Sequence, residues 1–417
     1  MAEGSLQAPI RHKLDWTNPD FYDAASIEAE LERVFDICHG CRRCFNLCDS
    51  FPRLFDMIDE SPSGELDAVP KEAYGAVVEA CTLCDLCFMT KCPYVPPHEF
   101  NLDFPHLMLR ARAADHRAGK TPMMQIQLTE TDRNNRLAGL VAPIANWAMD
   151  TNNGPVRGVL EKGAGVHREA ALPKFHGKTL TARAKALRLT ANSAAPAFGQ
   201  RKAIFYATCY GNYNSPEIGE AALKVLAHVG VQVETHYPGC CGMPQLEQGD
   251  LARVAENAAR TAAYFRPYVD AGYQIVTPVA SCGLMLKFEW PLIAHDNEDV
   301  KALSAATRDL TQYVVEIAKK EGLPDGLQPL DGGVAVHLAC HARAQNMGAK
   351  AVELLRLIPQ ADLAIIERCS GHGGSWGVMK ENFPIALKIG KPVARQTAKE
   401  AKAYLASECP LAALHIQ

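Results

Sequence analysis

The sequence predicts an α+β multidomain protein: an α-helical N-terminal module, then duplicated α/β units of βαβαβ type with parallel strands. Three observations carry that prediction. Helical periods flank two dense cysteine runs in the first hundred residues. From Arg201 onward strand-like and helix-like segments alternate, as in parallel βαβ units. That alternation is then run through a second time, with cysteines in matching places. The boundaries read as 1–104 for the helical module, 105–200 for a basic helical connecting arm, 201–300 for the first unit and 301–417 for the second.

With 417 residues, 48% hydrophobic and 22% charged, the chain has material for two or three cores. A formal net charge of -4 argues against a general nucleic-acid binder. Residues 1–100 carry an excess of about ten acidic groups, and residues 101–200 an excess of roughly seven basic ones. Such asymmetry points to a partner or a surface. The opening M-A-E-G-S-L-Q-A-P-I-R-H-K has neither the apolar core of a signal peptide nor a twin arginine. A cytoplasmic location is therefore expected, at most peripheral on the cytoplasmic face of the membrane. No segment reaches the roughly 18–20 apolar residues of a span; the nearest, 137–149, contains Pro143 and Asn146. In a reducing compartment, fifteen cysteines are expected to bind metal or do redox work.

The helical module opens with S-I-E-A-E-L-E-R-V-F-D-I, residues 26–37, where Ile27, Leu31, Val34 and Phe35 share one face. This helix leads into C-H-G-C-R-R-C-F-N-L-C, with Cys38, Cys41, Cys44 and Cys48. A second helical stretch, 71–80, leads into C-T-L-C-D-L-C-F-M-T-K-C-P, with Cys81, Cys84, Cys87 and Cys92. Three cysteines at C-x2-C-x2-C and a later fourth form a ligand set for a cubane [4Fe-4S] cluster. Zinc is the competing reading, but it takes four ligands, usually as two separated pairs, and these triplets are not pairs. Four residues stand between Cys87 and Cys92 where three are usual, so a small loop adjustment is expected. Arg42 and Arg43 either raise the potential of the nearby cluster or are exposed loop charges.

The arm holds no cysteine. Residues 107–117 suggest a helix, and 132–147 a single amphipathic one. Trp147 and its apolar neighbours either rest on a membrane interface or pack the arm onto the other domains; packing is the preferred expectation. Residues 193–199 read as a linker.

The first unit opens with the strand K-A-I-F-Y-A-T-C, ending at Cys209. A helix, the strand Q-V-E-T-H-Y and G-C-C-G with Cys240 and Cys241 follow. A helix from Leu251 to Phe265 then leads to Q-I-V-T-P-V-A-S and Cys282. The second unit repeats this with G-V-A-V-H-L-A-C and Cys340, D-L-A-I-I-E-R and Cys369, and K-A-Y-L-A-S-E and Cys409. Ser370 stands where Cys241 stands. Cysteines at the carboxyl ends of parallel strands gather at one rim, where open sheets bind ligands. Buried structural cysteines are the competing reading, but chance burial does not register them in two copies.

The long helical spacer between the runs resembles the α-helical ferredoxin domains of fumarate reductase and heterodisulfide reductase. Two such motifs followed by paired cysteine–cysteine–glycine units resemble the family of the C subunit of anaerobic glycerol-3-phosphate dehydrogenase and the D subunit of heterodisulfide reductase. The segment C-S-G-H-G-G-S-W-G-V-M-K-E-N at 369–382, with I-G-K-P-V at 389–393, is nearest the former. The resemblance implies that the fourth ligand crosses over. One [4Fe-4S] cluster then takes Cys38, Cys41, Cys44 and Cys92, the other Cys81, Cys84, Cys87 and Cys48. It also implies one or two further, noncubane [4Fe-4S] clusters in the paired units, each on five cysteines. Cys209, Cys240, Cys241 and Cys282 match in the first unit, with Met285 at the fifth position. Cys340, Cys369 and Cys409 match in the second, with Ser370 and Ala412 at the other two. His341, His372 or Ser370 is then the candidate non-cysteine ligand. An iron left open there would bind substrate, which makes Cys340, Cys369 and Cys409 the candidate catalytic set.

The function expected is electron transfer between the front clusters and the C-terminal site, serving a quinone, a disulfide or a protein. The family resemblance implies a dehydrogenase or peroxidase partner. The alternatives are a disulfide reductase cleaving its substrate at the iron–sulfur site, and a peripheral anchor docking a dehydrogenase to the inner membrane surface through the basic arm. No flavin or nicotinamide fingerprint is present; G-H-G-G-S-W-G lies in a cysteine loop and is a weak phosphate cradle.

Overall fold

The computed structural model describes residues 8–417. The first seven residues, on which the signal-peptide expectation partly rests, lie outside the described residues. Among the described residues no helix is long and apolar enough to cross a membrane.

The front module is helical. The helix Ala24–Cys41 buries Ile27, Leu31, Val34 and Phe35, the face the periodicity predicts. Asp23 caps it by accepting the Ser26 N–H. Ser50–Asp59 and Tyr74–Ala80 pack beside it, around Phe35, Phe51, Phe55 and Tyr74. An extended N-terminal segment ties this module to the rest. Ile10 N–H donates to Pro96 at 2.9 Å, Leu14 N–H to Leu292 at 2.9 Å, and Trp16 Nε1 to Ile293 at 2.7 Å. Arg11 is nearly buried and pairs with Asp85, Asp103 and Glu289 at 2.7, 2.8 and 3.0 Å.

The first unit is a four-stranded parallel sheet in the order β2-β1-β3-β4, with β1 Lys202–Tyr206, β2 Gln232–His236, β3 Gln274–Thr277 and β4 Thr307–Asp309. The second is a three-stranded parallel sheet in the order β6-β5-β7, with β5 Val334–His337, β6 Leu363–Ile366 and β7 Tyr404–Ser407. The central strands, β1 and β5, are buried along almost their whole length, as parallel strands covered on both faces must be. β4 carries no cysteine, and the helix Leu310–Lys320 after it packs Tyr313, Val314 and Ile317 onto the first sheet.

The two sheets meet at their carboxyl ends. The helix Ala280–Leu284 after β3 lies on the helix Cys340–Ala344 after β5. Gln345 Nε2 donates to the Ala280 carbonyl at 3.0 Å, and the Ala280 N–H donates to Glu408 at 3.3 Å. A Cβ at Gly283 would sit 2.9 Å from Gln345 Nε2, so a larger residue there would push that side chain off Ala280.

The arm departs from expectation. Two helices, Thr131–Leu140 and Ala142–Met149, replace the single one. Pro143 falls in the first turn of the second, where its missing N–H is harmless but the preceding helix cannot continue through it. Trp147 does not pack the arm onto its neighbours: it is 61% exposed, with Ile144 at 66% and Leu140 at 80%. Small and polar groups hold the arm instead. Asn146 exchanges two hydrogen bonds with Phe175, at 2.9 and 2.8 Å, and Gly139 and Gly177 let their backbones approach.

Candidate metal centres

The two cysteine runs of the front module sit where helices stop. Cys38 and Cys41 lie in the last turn of Ala24–Cys41, and Arg42 turns the chain with φ 53°. Cys81 ends the helix Tyr74–Ala80, and left-handed residues Leu83 (φ 48°) and Asp85 (φ 61°) curl the chain around Cys84. The extra residue before Cys92 is absorbed as one π-turn, Cys87–Lys91, closed by the Cys92 N–H donating to Cys87 at 2.8 Å.

The fold sorts these eight cysteines across the two runs. Burial pushes the Cys38 thiol well up, and Cys92, Cys44 and Cys41 add charge repulsion. Burial also pushes Cys48 up to about 12, and the neighbour that adds to it is Cys81. Cys87 is raised by burial and then by Cys84, Cys81 and Cys48. Cys92 of the second run thus stands beside Cys38, Cys41 and Cys44 of the first. Cys38, Cys41, Cys44 and Cys92 line one small cavity, with Phe51 and Phe55 among its apolar walls. Arg42 lies over the Phe55 ring and pairs with Asp59, so its charge is offset, whereas Arg43 lines the cavity.

In the first unit the four cysteines lie just past strands β1, β2 and β3, Cys282 within the short helix Ala280–Leu284. Sγ of Cys209 and Cys240 are 3.7 Å apart. The neighbouring Cys209 and Cys241 pull the Cys240 thiol well below its usual range, and the Gly242 N–H donates to its sulfur at 3.5 Å. The buried Tyr206 hydroxyl donates to Gly239 at 2.6 Å, and its pKa is raised by burial and by the charges of Cys241, Cys282, Cys240 and Cys209 around it. Trp290 Nε1 donates to the Cys241 carbonyl at 2.9 Å. The arm reaches in as well. Asp132 accepts the Cys240 N–H at 3.0 Å and the Tyr237 hydroxyl. Sequence reasoning did not find Tyr206, Tyr237, Trp290 or Asp132; the tyrosine two residues before Gly239 was the one local signal.

In the second unit Cys340 is raised by burial, then by Cys369 and Cys409. Ser370 is buried. Met285 and Ala412, at the positions without thiolates, are buried as well. His341 turns to the front module, its Nε2 lying 3.3 Å from the Leu83 carbonyl. His372 is held low, at about 3, by burial and by the neighbouring His415, His341 and His337. Its loop is wound tightly. Gly371 has φ 76°, with a Cβ there 2.2 Å from the Ala386 carbonyl, and a Cβ on Gly377 would fall 1.9 Å from the His372 carbonyl.

The donor set fits an iron–sulfur group. The cysteines form closely spaced sets, largely or wholly screened from water, and no disulfide joins them. Among the described residues no three of His, Cys, Asp and Glu converge on a single-ion position.

Helical eight-cysteine module and paired cysteine-bearing sheets together define the class: iron–sulfur proteins with a duplicated cysteine-rich unit. The cysteine-rich domain family matches residues 203–287 and 334–417, one match per sheet. The C subunit of anaerobic glycerol-3-phosphate dehydrogenase of Escherichia coli (strain K12) is 27% identical over 308 residues, 73% of this chain and 74% of its own. Lactate utilization protein A of Geobacillus kaustophilus is 30% identical over 190 residues, 42% of this chain and 74% of its own. The B subunit of the CoM/CoB fumarate reductase of Methanothermobacter marburgensis is 26% identical over 218 residues, 51% of this chain and 41% of its own. The chain belongs to the family of these duplicated cysteine-rich-domain proteins.

Proposed function

We propose that this chain is the iron–sulfur electron-transfer subunit of an oxidoreductase, working beside a dehydrogenase partner. The observation that supports it is the cavity lined by Cys38, Cys41, Cys44 and Cys92, where a cysteine of the second run joins three of the first. In this reading Cys38, Cys41, Cys44 and Cys92 hold one [4Fe-4S] cluster and Cys81, Cys84, Cys87 and Cys48 the other. Cys209, Cys240, Cys241 and Cys282 hold a third iron–sulfur group. Cys340, Cys369 and Cys409 hold a fourth, with His372 as the non-cysteine ligand, since His341 is engaged with Leu83. When bound, such groups accept and release single electrons. The chain's own residues supply thiolates, exclude water and hydrogen-bond sulfur, which sets the potential. The relatives named for dehydrogenase and reductase subunits support a partner that handles the organic substrate, with quinone, disulfide or protein as acceptor. A redox titration of the anaerobically reconstituted chain, followed by electron paramagnetic resonance, tests this. Two front-module signals that respond separately to Cys92→Ser and Cys48→Ser are expected; a chain that takes up no electrons refutes the reading.

One observation favours a second reading, attachment to an anionic membrane surface. Leu140, Ile144, Trp147 and Val159 are exposed apolar residues in a basic arm, with Arg133, Arg136 and Lys162 exposed among them.

A further inference from the structure

Two charged side chains outside the cysteine sets bring three cysteine-bearing segments together. Arg112 stands on the helix Phe104–Arg117. Its Nη2 donates to the carbonyls of Val78 at 2.7 Å, Glu79 at 3.1 Å and Cys81, and its Nη1 donates to the Glu247 carbonyl at 3.0 Å. Val78 and Glu79 lie in the last turn of Tyr74–Ala80, whose free carbonyls favour a cation. Glu247 ends the helix Met243–Glu247, which follows directly on Cys240, Cys241 and Gly242. One planar guanidinium thus spans the front module and the first unit, a reach that a compact ammonium lacks. The backbones come close beside it: a Cβ on Gly249 would meet the Ala113 nitrogen at 2.5 Å.

The Glu247 side chain reaches the second unit. A Cβ on Gly374 would collide with both of its carboxylate oxygens, and Ser375 turns its N–H and hydroxyl towards it. Gly373 and Gly374 have φ 53° and 59°, and successive turns of this kind make anion-binding hollows. The segment G-H-G-G-S-W-G, a weak phosphate cradle by its sequence, therefore receives a carboxylate of the chain itself. This loop carries His372 and follows closely on Cys369. Thr82, next to Cys81, touches it too: a Cβ on Gly373 would sit 3.1 Å from Thr82 Cγ2. The opposite charges of Arg112 and Glu247 attract each other, so each contact supports the other.

We propose that Arg112 and Glu247 are positioning residues that act as one clamp: the guanidinium fixes the Cys81 segment to the helix Met243–Glu247, and the carboxylate seats the glycine loop after Cys369 against the same helix. This rests on the electron-transfer reading above, because what the clamp sets is the relative placement of the cysteine segments that reading uses. The pair contributes geometry alone. No bond is made or broken in it, and no electron or proton passes through it.

The experiment uses the full chain, reconstituted anaerobically, and reads amide hydrogen exchange segment by segment beside the resonance spectrum. Glu247→Ala should speed exchange across 371–378 by about tenfold or more, as loss of a charge-assisted hydrogen bond implies, and leave 78–84 slow. Glu247→Gln keeps the length and one acceptor oxygen and should stay close to the parent. Arg112→Met should speed exchange in 78–84 and 243–250 together and shift the resonance line of the Cys81 set, while the line of the Cys38 set stays. Should that variant fail to fold, Arg112→Lys keeps the charge and the stem but loses the fork, and the same two segments should loosen. Unchanged exchange across 371–378 in Glu247→Ala overturns the proposal, and so does an equal loss in Glu247→Gln. An Arg112 variant that loosens only one of its two segments, or exchange that quickens evenly over the whole chain, overturns it as well. None of these results touches the electron-transfer reading, which fails instead when the unaltered chain shows no reducible signal.

Discussion

Asp132 and Cys240, 108 residues apart in sequence, are joined by a 3.0 Å hydrogen bond from the Cys240 N–H to the Asp132 carboxylate. The same carboxylate accepts the Tyr237 hydroxyl. The arm thus reaches into the first unit's cysteine loop rather than merely linking domains. Removing this carboxylate strands two buried donors. Asp132→Ala should destabilise the protein by about 1–3 kcal/mol and alter the spectroscopic signature of the first unit while the front signals stay put. Denaturant midpoints and resonance spectra of the same preparation check both parts.

Arg11 holds three carboxylates from three parts of the chain: Asp85 in the front cysteine loop, Asp103 before the helix Phe104–Arg117, and Glu289 in the first unit. Replacing it leaves those charges facing one another with little water. Arg11→Met is expected to cost about 3–5 kcal/mol, measured by urea unfolding under anaerobic conditions. A loss below about 1 kcal/mol, the range of an exposed pair, would show that the segment carrying Arg11 is not a structural tie.

Glu247 predicts a pH dependence. Burial raises its carboxyl to about 7, against the opposing charge of Arg112 and hydrogen bonds from Ser375. A carboxyl whose folded pKa lies above its unfolded value binds its proton more tightly in the folded state. Stability is then full below about pH 4.5 and declines as pH rises through 7, by roughly 3 kcal/mol across that window. Glu247→Gln should remove this decline and leave the variant more stable than the parent at pH 8. Unfolding curves at pH 5.5 and pH 8 give the comparison; parallel slopes for the two proteins would contradict it.

Gly371 carries the loop of Cys369 and His372 with φ 76°, and a side chain there would meet the Ala386 carbonyl at 2.2 Å. Both the conformation and the space call for glycine. Gly371→Ala should displace the loop, with loss of iron from the second unit and retention of the front signals. Iron analysis and resonance spectra of the variant decide it.

Much of this was legible in the sequence, for a physical reason. The face of Ile27, Leu31, Val34 and Phe35 and the strands ending near Cys209, Cys340 and Cys369 are local patterns, and local pattern survives folding. The π-turn at Cys87–Lys91 answers a one-residue excess that spacing alone exposes. Long-range pairings left no such trace. Nothing near Asp132 announces Cys240, and nothing near Arg11 announces Glu289. The arm departs from expectation because an apolar helical face around Leu140, Ile144 and Trp147 has the same period whether it is buried or bare. Pro143, visible in the sequence, is the signal that one helix becomes two.

The exposed arm gives a separate expectation. Trp147→Ser with Ile144→Ser should weaken sedimentation with phosphatidylglycerol vesicles, and raised salt should weaken it further as the basic groups are screened. Equal sedimentation of parent and variant would remove the membrane reading.

Mössbauer spectroscopy with iron analysis, on chain prepared anaerobically with enriched iron, is the most direct test of the sulfur-bound iron on which everything else depends. About sixteen irons per chain are expected with all four cysteine sets filled, and about eight with the front module alone. A colourless protein holding zinc or no metal would contradict the account.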